Sequence, residues 1–251
     1  MEQEEKFEYI LRLGDNSLIL GQRLGEWCGH GPALEEDIAL TNISLDLIGQ
    51  ARSLLDYAGQ VEGVGRDEDT LAFLRDVRQF KNVILLEQPN GHFGDTIVRQ
   101  FLYDHFAWLL YNELMKSKDE QLAAIAAKSI KEVTYHRRHS SEWIIRLGDG
   151  TAESKEKVQD SLDRLWAYSG EMLTPDSLDK KALEAGIGVD LDILKKDWYI
   201  NVKGVIEQAT LTLPEDGWMH SGGKKGVHSE HLGYILAEMQ HIPRAYPDAK
   251  W

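Results

Sequence analysis

The stretch KSIKEVTYHRRHSSEW, residues 128–143, carries Glu132, His136 and His139 at steps of four and three, so on an α-helix they share one face. Ile125 and Trp143 extend that face with apolar side chains. A carboxylate and two imidazoles on one stripe of a long helix could be part of a metal site inside a helix bundle. They could equally be a buried hydrogen-bond network. Which of the two holds decides whether the chain is itself a catalyst.

Around this stretch the apolar periodicity is helical nearly throughout. It predicts a helix over about 4–27, ended by Gly29, Gly31 and Pro32, with Arg12, Asn16, Arg23 and Glu26 as a polar stripe. A second helix over about 34–58 has Glu35, Glu36 and Asp37 in its first turn, where the helix dipole favours negative charge. It is apolar on most sides, the pattern of a central helix, and Asp46 within it is expected to be buried with a partner. Residues 67–78 read as a short helix, and the apolar run NVILLEQPNG has no clear assignment. Residues 95–116 form an aromatic-rich third long helix with Asp104 in FLYDHFAWLLY. Residues 117–147 form the fourth, antiparallel to it across a short break. Further helices are expected at 151–173, capped by Thr151, at 177–185 and at 191–209, with an extended piece at 210–214. A last helix of about three turns stops before Pro243. No repeat or domain boundary appears, so the expectation is one all-α domain over residues 1–251: a four-helix bundle with the C-terminal helices packed on it.

The whole-chain properties narrow the function classes. The formal net charge is −14 with no long basic stripe, which argues against nucleic acid. The single cysteine, Cys28, fits a reducing compartment. The acidic start MEQEEKFEYI does not read as a signal peptide, and no apolar run approaches the ~20 residues that span a bilayer, so a cytoplasmic protein without a membrane partner is expected.

A di-iron carboxylate bundle takes a carboxylate from each of two helices and a Glu-x-x-His pair from each of the other two. Mirroring the first two helices about Gly31 sets Asp46 level with Asn16; mirroring the next two about Lys118 sets Glu132 level with Asp104. Three of these four are carboxylates and Asn16 is a neutral amide. Gly49 and Tyr135 stand at the two histidine positions, three residues after Asp46 and Glu132, with His136 one place further on. The set is degenerate, and pairing of these carboxylates with cations or amides in the core is the simpler reading. His228, Glu230, His231 and the Glu-x-x-His at Glu238–His241 read as surface or interface residues. Gly222–Gly226, with Lys224 and Lys225, reads as a flexible solvated loop without phosphate-loop spacing. There is no Gly-x-Ser-x-Gly elbow, and Cys28 has no evident base.

The segments LRLGDNSLILGQRLGEWCGHGPALEEDIALTNISLDLIGQAR, FLYDHFAW, YHRRHSSEWIIRLGDGT and GVHSEHLGYILAEMQHIPRAYP resemble, in order and over essentially the whole chain, the structural subunits of the multicomponent ring 1,2-phenylacetyl-CoA epoxidases. The resemblance implies a ferritin-like fold and a partner, a related catalytic subunit that holds the di-iron centre and binds phenylacetyl-CoA. It also implies a separate reductase with flavin and iron–sulfur groups that delivers electrons from NADPH, so that O₂ epoxidises the aromatic ring in aerobic phenylacetate breakdown. On that reading Asp46, Asp104 and Glu132 are remnants of a lost metal site, this chain holds no cofactor, and alone it could pair with itself. The rival expectation is a metal-dependent oxidase in its own right, using Glu132, His136, His139 and carboxylates of other helices.

Overall fold

Residues 1–249 are described by the computed structural model, and among them there is no strand. The helices are α1 (Gln3–Gly25), α2 (Leu34–Glu62), α3 (Glu68–Phe73), α4 (Phe93–Leu114), α5 (Glu120–Gly148), α6 (Ala152–Trp166), α7 (Ser177–Glu184), α8 (Leu191–Gln208), α9 (Glu230–Met239) and α10 (His241–Ala245). The fold is all-α and consistent with a ferritin-like bundle. The chain divides into two compact units. One is Met1–Pro89 with the segment returning from Gly222; the other is Asn90–Ser221. Among the described residues no helix is long and apolar enough to cross a membrane.

In the first unit α1 and α2 form a long antiparallel hairpin. Two glycines let the helices close on one another. A Cβ at Gly14 would lie 2.8 Å from Leu55 Cδ2, and one at Gly21 would lie 3.0 Å from Ile48 Cδ1. The Ser44 hydroxyl donates to the Gly21 carbonyl at 2.7 Å, fixing the register. The central helix of this unit is α1, not α2: every residue from Tyr9 to Gly21 is buried. Helix α2 keeps an outer side on which Leu34 is 74% and Leu45 63% exposed. Apolar periodicity counts apolar residues, and only the neighbours decide which of them are covered. Within the unit α1 is packed by α2, by the 84–87 turn and by α9.

The run NVILLEQPNG is neither helix nor strand. It is a buried connection with one 3-10 turn at Ile84–Glu87. Buried irregular backbone needs partners for its polar groups, and the polar residues of α1 supply them. Asp15 accepts from the Lys81 N–H at 2.8 Å and holds the Arg75 guanidinium, with one contact at 3.0 Å. Asn16 Oδ1 accepts from the Val83 N–H at 2.9 Å. Arg23 donates Nε at 3.1 Å and Nη2 at 2.8 Å to the Glu87 carbonyl. Of the stripe expected on α1, Arg12, Asn16 and Arg23 are buried, while Glu26 lies past the end of the helix and is exposed.

The returning segment also differs from its expectation. Residues 223–225 form a tight turn, and Gly223 and Gly226 sit against the carbonyls of Asn82 and Arg78 with no room for a Cβ. These glycines are packing positions, and Gly222 and Gly226 have φ of 141° and 76°, which favours glycine. The loop is clamped instead of freely solvated. Helix α9 stops at Met239, and α10 then runs through Pro243, which falls in its first turn where no backbone donor is required.

In the second unit α4 and α5 pack antiparallel, joined by His105 Nε2···Ser141 Oγ at 3.0 Å and by the Arg137 guanidinium lying 3.8 Å over the Trp108 ring. Helix α8 packs on α4, and Trp198 Nε1 donates to the Leu102 carbonyl at 2.9 Å. Thr151 caps α6 as expected. That helix ends at Trp166, and residues 167–174 continue as turns.

Candidate functional site

The residues singled out in the sequence fall in both units. In the first, the hairpin register separates Asn16 from Asp46. Gly14 meets Leu54 and Leu55, and Gly21 meets Leu47 and Ile48, so Asp46 stands level with the residues around Arg23 and Asn16 with those around Ser53. The mirror point lies later than Gly31, because α1 already ends at Gly25 and residues 26–30 are spent in turns. Asp46 is half-buried and has interactions of its own. Gly49 is exposed, and a Cβ built there would meet nothing within 4 Å. Asn16 is buried with its amide oxygen committed to Val83.

In the second unit Asp104 is buried opposite His136 and Ser140, not opposite Glu132. Glu132 lies one turn before His136 and two before Ser140 on α5 and is half-buried. His136 is buried, His139 is half-buried, and Tyr135 is 47% exposed with its ring 6.0 Å from that of His139. Asp104 is thus the residue that the fourth-helix histidine meets, a pairing the mirror argument missed because the register is shifted by one to two turns.

Burial pushes the Asp104 carboxyl up to about 6, against the opposing pull of His136, Ser140 and Arg99. Beside it on α4, His105 is pushed down to about 3, first by burial and then by Arg137. The imidazole of His105 is therefore neutral at physiological pH, and it bonds the Ser141 hydroxyl. Asp104 Oδ2 and both ends of the Gln100 amide are buried without a hydrogen-bond partner among the described residues. Gln100 and Asp104 lie one turn apart on α4. The arrangement is a polar core around one carboxyl that burial raises. Nothing in the spacing of Gln100 or Ser140 signalled that they belong to it; the alternation of polar residues at 96, 100 and 104 on α4 was the available clue.

These residues do not fit a two-metal carboxylate centre. Gly49 offers no donor, Tyr135 points its ring toward solvent and His139, and the Asn16 amide oxygen is taken. Among the described residues no three His, Cys, Asp or Glu side chains converge as ligands of one ion would. His228 is a tail histidine with a buried side chain, against the surface role expected of it: it lies beside Glu87.

The fold and this site define an all-α protein of long antiparallel hairpins with a buried polar network around Asp104. The chain belongs to the phenylacetic acid catabolic protein family, which it matches over residues 1–251. It is 53% identical over 243 residues to a 1,2-phenylacetyl-CoA epoxidase subunit from Escherichia coli (strain K12), covering 97% of this chain and 98% of that protein.

Proposed function

We propose that the chain is the non-catalytic subunit of a phenylacetyl-CoA ring epoxidase, binding and stabilising a separate di-iron catalytic subunit in aerobic phenylacetate catabolism. The observation that carries the reading is that the candidate ligands do not assemble: Asn16 and Asp46 are not level across the hairpin, the Asn16 amide oxygen is committed to Val83, and Gly49 carries no donor atom. Family membership and the relative's being one subunit of an epoxidase support it. On this reading di-iron belongs to the partner, and flavin and iron–sulfur groups to a reductase. The chain works in the cytoplasm without membrane or nucleic acid. Its own polar core around Asp104 and His136 is structural.

Two measurements test this. The purified chain, incubated anaerobically with Fe(II) and desalted, should retain less than about one iron per chain; a di-iron stoichiometry would make it an oxidase to be assayed directly. Co-expressed with a related di-iron subunit, it should elute as one complex at micromolar concentration, with an interface of at least ~2,000 Å². Separate elution would overturn the proposal.

A further inference from the structure

The segment that returns to the first unit is fastened at one buried contact. His228 Nε2 lies 2.8 Å from the Phe80 carbonyl, and Nδ1 lies 3.6 Å from Glu87 Oε2. Both side chains are buried, and neither Nδ1 nor Oε2 has another hydrogen-bond partner among the described residues. The other oxygen of Glu87 accepts the N–H of Ser229 at 3.1 Å, and Ser229 caps α9. The contact thus sits where the loop ends and α9 begins.

A carbonyl only accepts, so Nε2 must carry a proton whether the ring is charged or neutral. The second proton, on Nδ1, decides the rest. With it, an N–H faces the Glu87 carboxylate. Without it, a lone pair faces a buried carboxylate oxygen. The charged groups around the ring are few. Glu87 comes from the 84–87 turn, and Asp15 of α1 adds to the negative field while neutralised in part by Arg75. Arg23 of α1 binds the Glu87 backbone carbonyl and not the carboxylate.

We propose that residues 222–245 form a strap whose docking on the first unit is locked by the Nδ1 proton of His228, and that loss of this proton loosens the strap. The inference stands independently of the proposed function. Burial alone would push the imidazole down, but Glu87, the Phe80 carbonyl and Asp15 outweigh it and hold it above its ordinary value. A raised histidine stabilises fully below the ordinary value and loses that contribution as the pH rises through the raised one. The lock is closed in mildly acidic solution and opens on the alkaline side. Beyond His228 the strap is held by Gln240, which donates to the carbonyls of Ala72 at 3.1 Å and Arg75 at 2.9 Å, and by Arg244 to Phe73 at 3.0 Å. These contacts do not titrate in that range, so the opening is local to the loop and the first turn of α9.

Amide hydrogen exchange of residues 226–236 in the full chain tests this at about pH 6 and about pH 9, corrected for intrinsic rates. Exchange should quicken on the order of tenfold at the higher pH, the equivalent of about one pK unit of lost interaction. In His228→Gln, whose amide can still donate to Phe80 without a charge, the step should vanish. Equal corrected exchange at the two pH values, or a step that survives in His228→Gln, overturns the proposal. Should the variant fail to fold, the imidazole titration of His228 in the unmodified chain decides by NMR. A midpoint above about 6.5 supports the lock, and one below it refutes it.

Discussion

Asp104 and His105 are neighbours in sequence, yet burial moves them in opposite directions along the pH scale. The carboxyl at about 6 binds its proton more tightly in the folded chain than in the unfolded one. Its contribution to stability is therefore greatest in acid and falls as the pH rises from about 4 to about 6. The imidazole at about 3 binds its proton more weakly when folded, so its contribution falls as the pH drops below about 6.5. Over about pH 4–6 the two slopes oppose each other, so within this pair they largely cancel. Asp104→Asn removes one slope. Urea titrations should find the variant gaining relative to the parent by up to about 3 kcal/mol between about pH 4 and about pH 7. An unchanged difference across that range would mean that Asp104 is ionised throughout.

At the scale of the element, three positions on the first hairpin have different consequences. Gly21 lies under Ile48, and Gly21→Leu should overpack the α1–α2 seam and cost about 1–3 kcal/mol by chemical denaturation. Gly49 has open space around it on an exposed helical face, so Gly49→Ala should stabilise by about 0.5–1 kcal/mol. Asn16→Leu would leave the Val83 N–H buried without its acceptor, at about 1–3 kcal/mol. The elements themselves were legible. Capping residues, turn glycines and apolar spacing placed the long helices to within a few residues, because those signals act between neighbours in the chain. What was not legible depends on contacts distant in sequence. Nothing local says that Asp15, Asn16 and Arg23 satisfy the backbone of residues 81–87, or that Gly223 and Gly226 are seats for the carbonyls of Asn82 and Arg78. The partners of Asp46 and Asp104 were misplaced for the same reason. Register follows from where helices end and from which small residues let them approach, and mirroring about a single turn residue assumes both.

At the scale of the whole molecule, the two units differ in continuity. Asn90–Ser221 is a single stretch, whereas the first unit needs residues from both sides of it. A fragment of residues 90–221 should therefore unfold cooperatively by circular dichroism, and a fragment of residues 1–89 should not. The strap supplies Leu232, Ile235 and Leu236 to the first unit's core and Gln240 to the carbonyls of Ala72 and Arg75. Removing residues 222–251 from the full chain should lower its first thermal transition while leaving a second in place. A single unshifted transition would show that the strap contributes no stability.

The discontinuity also sets an order of events during synthesis. The ribosome delivers α1, α2 and the 81–87 connection before the second unit, but α9, which covers part of α1, emerges only after it. At roughly 5–20 residues per second, the intervening stretch takes on the order of ten seconds to make. Throughout that interval the hairpin carries an uncovered apolar flank, while the later unit has all its own parts as soon as it leaves the exit tunnel. The N-terminal part of the nascent chain is thus the part for which a chaperone, or an early-binding companion protein, has the longest window to act.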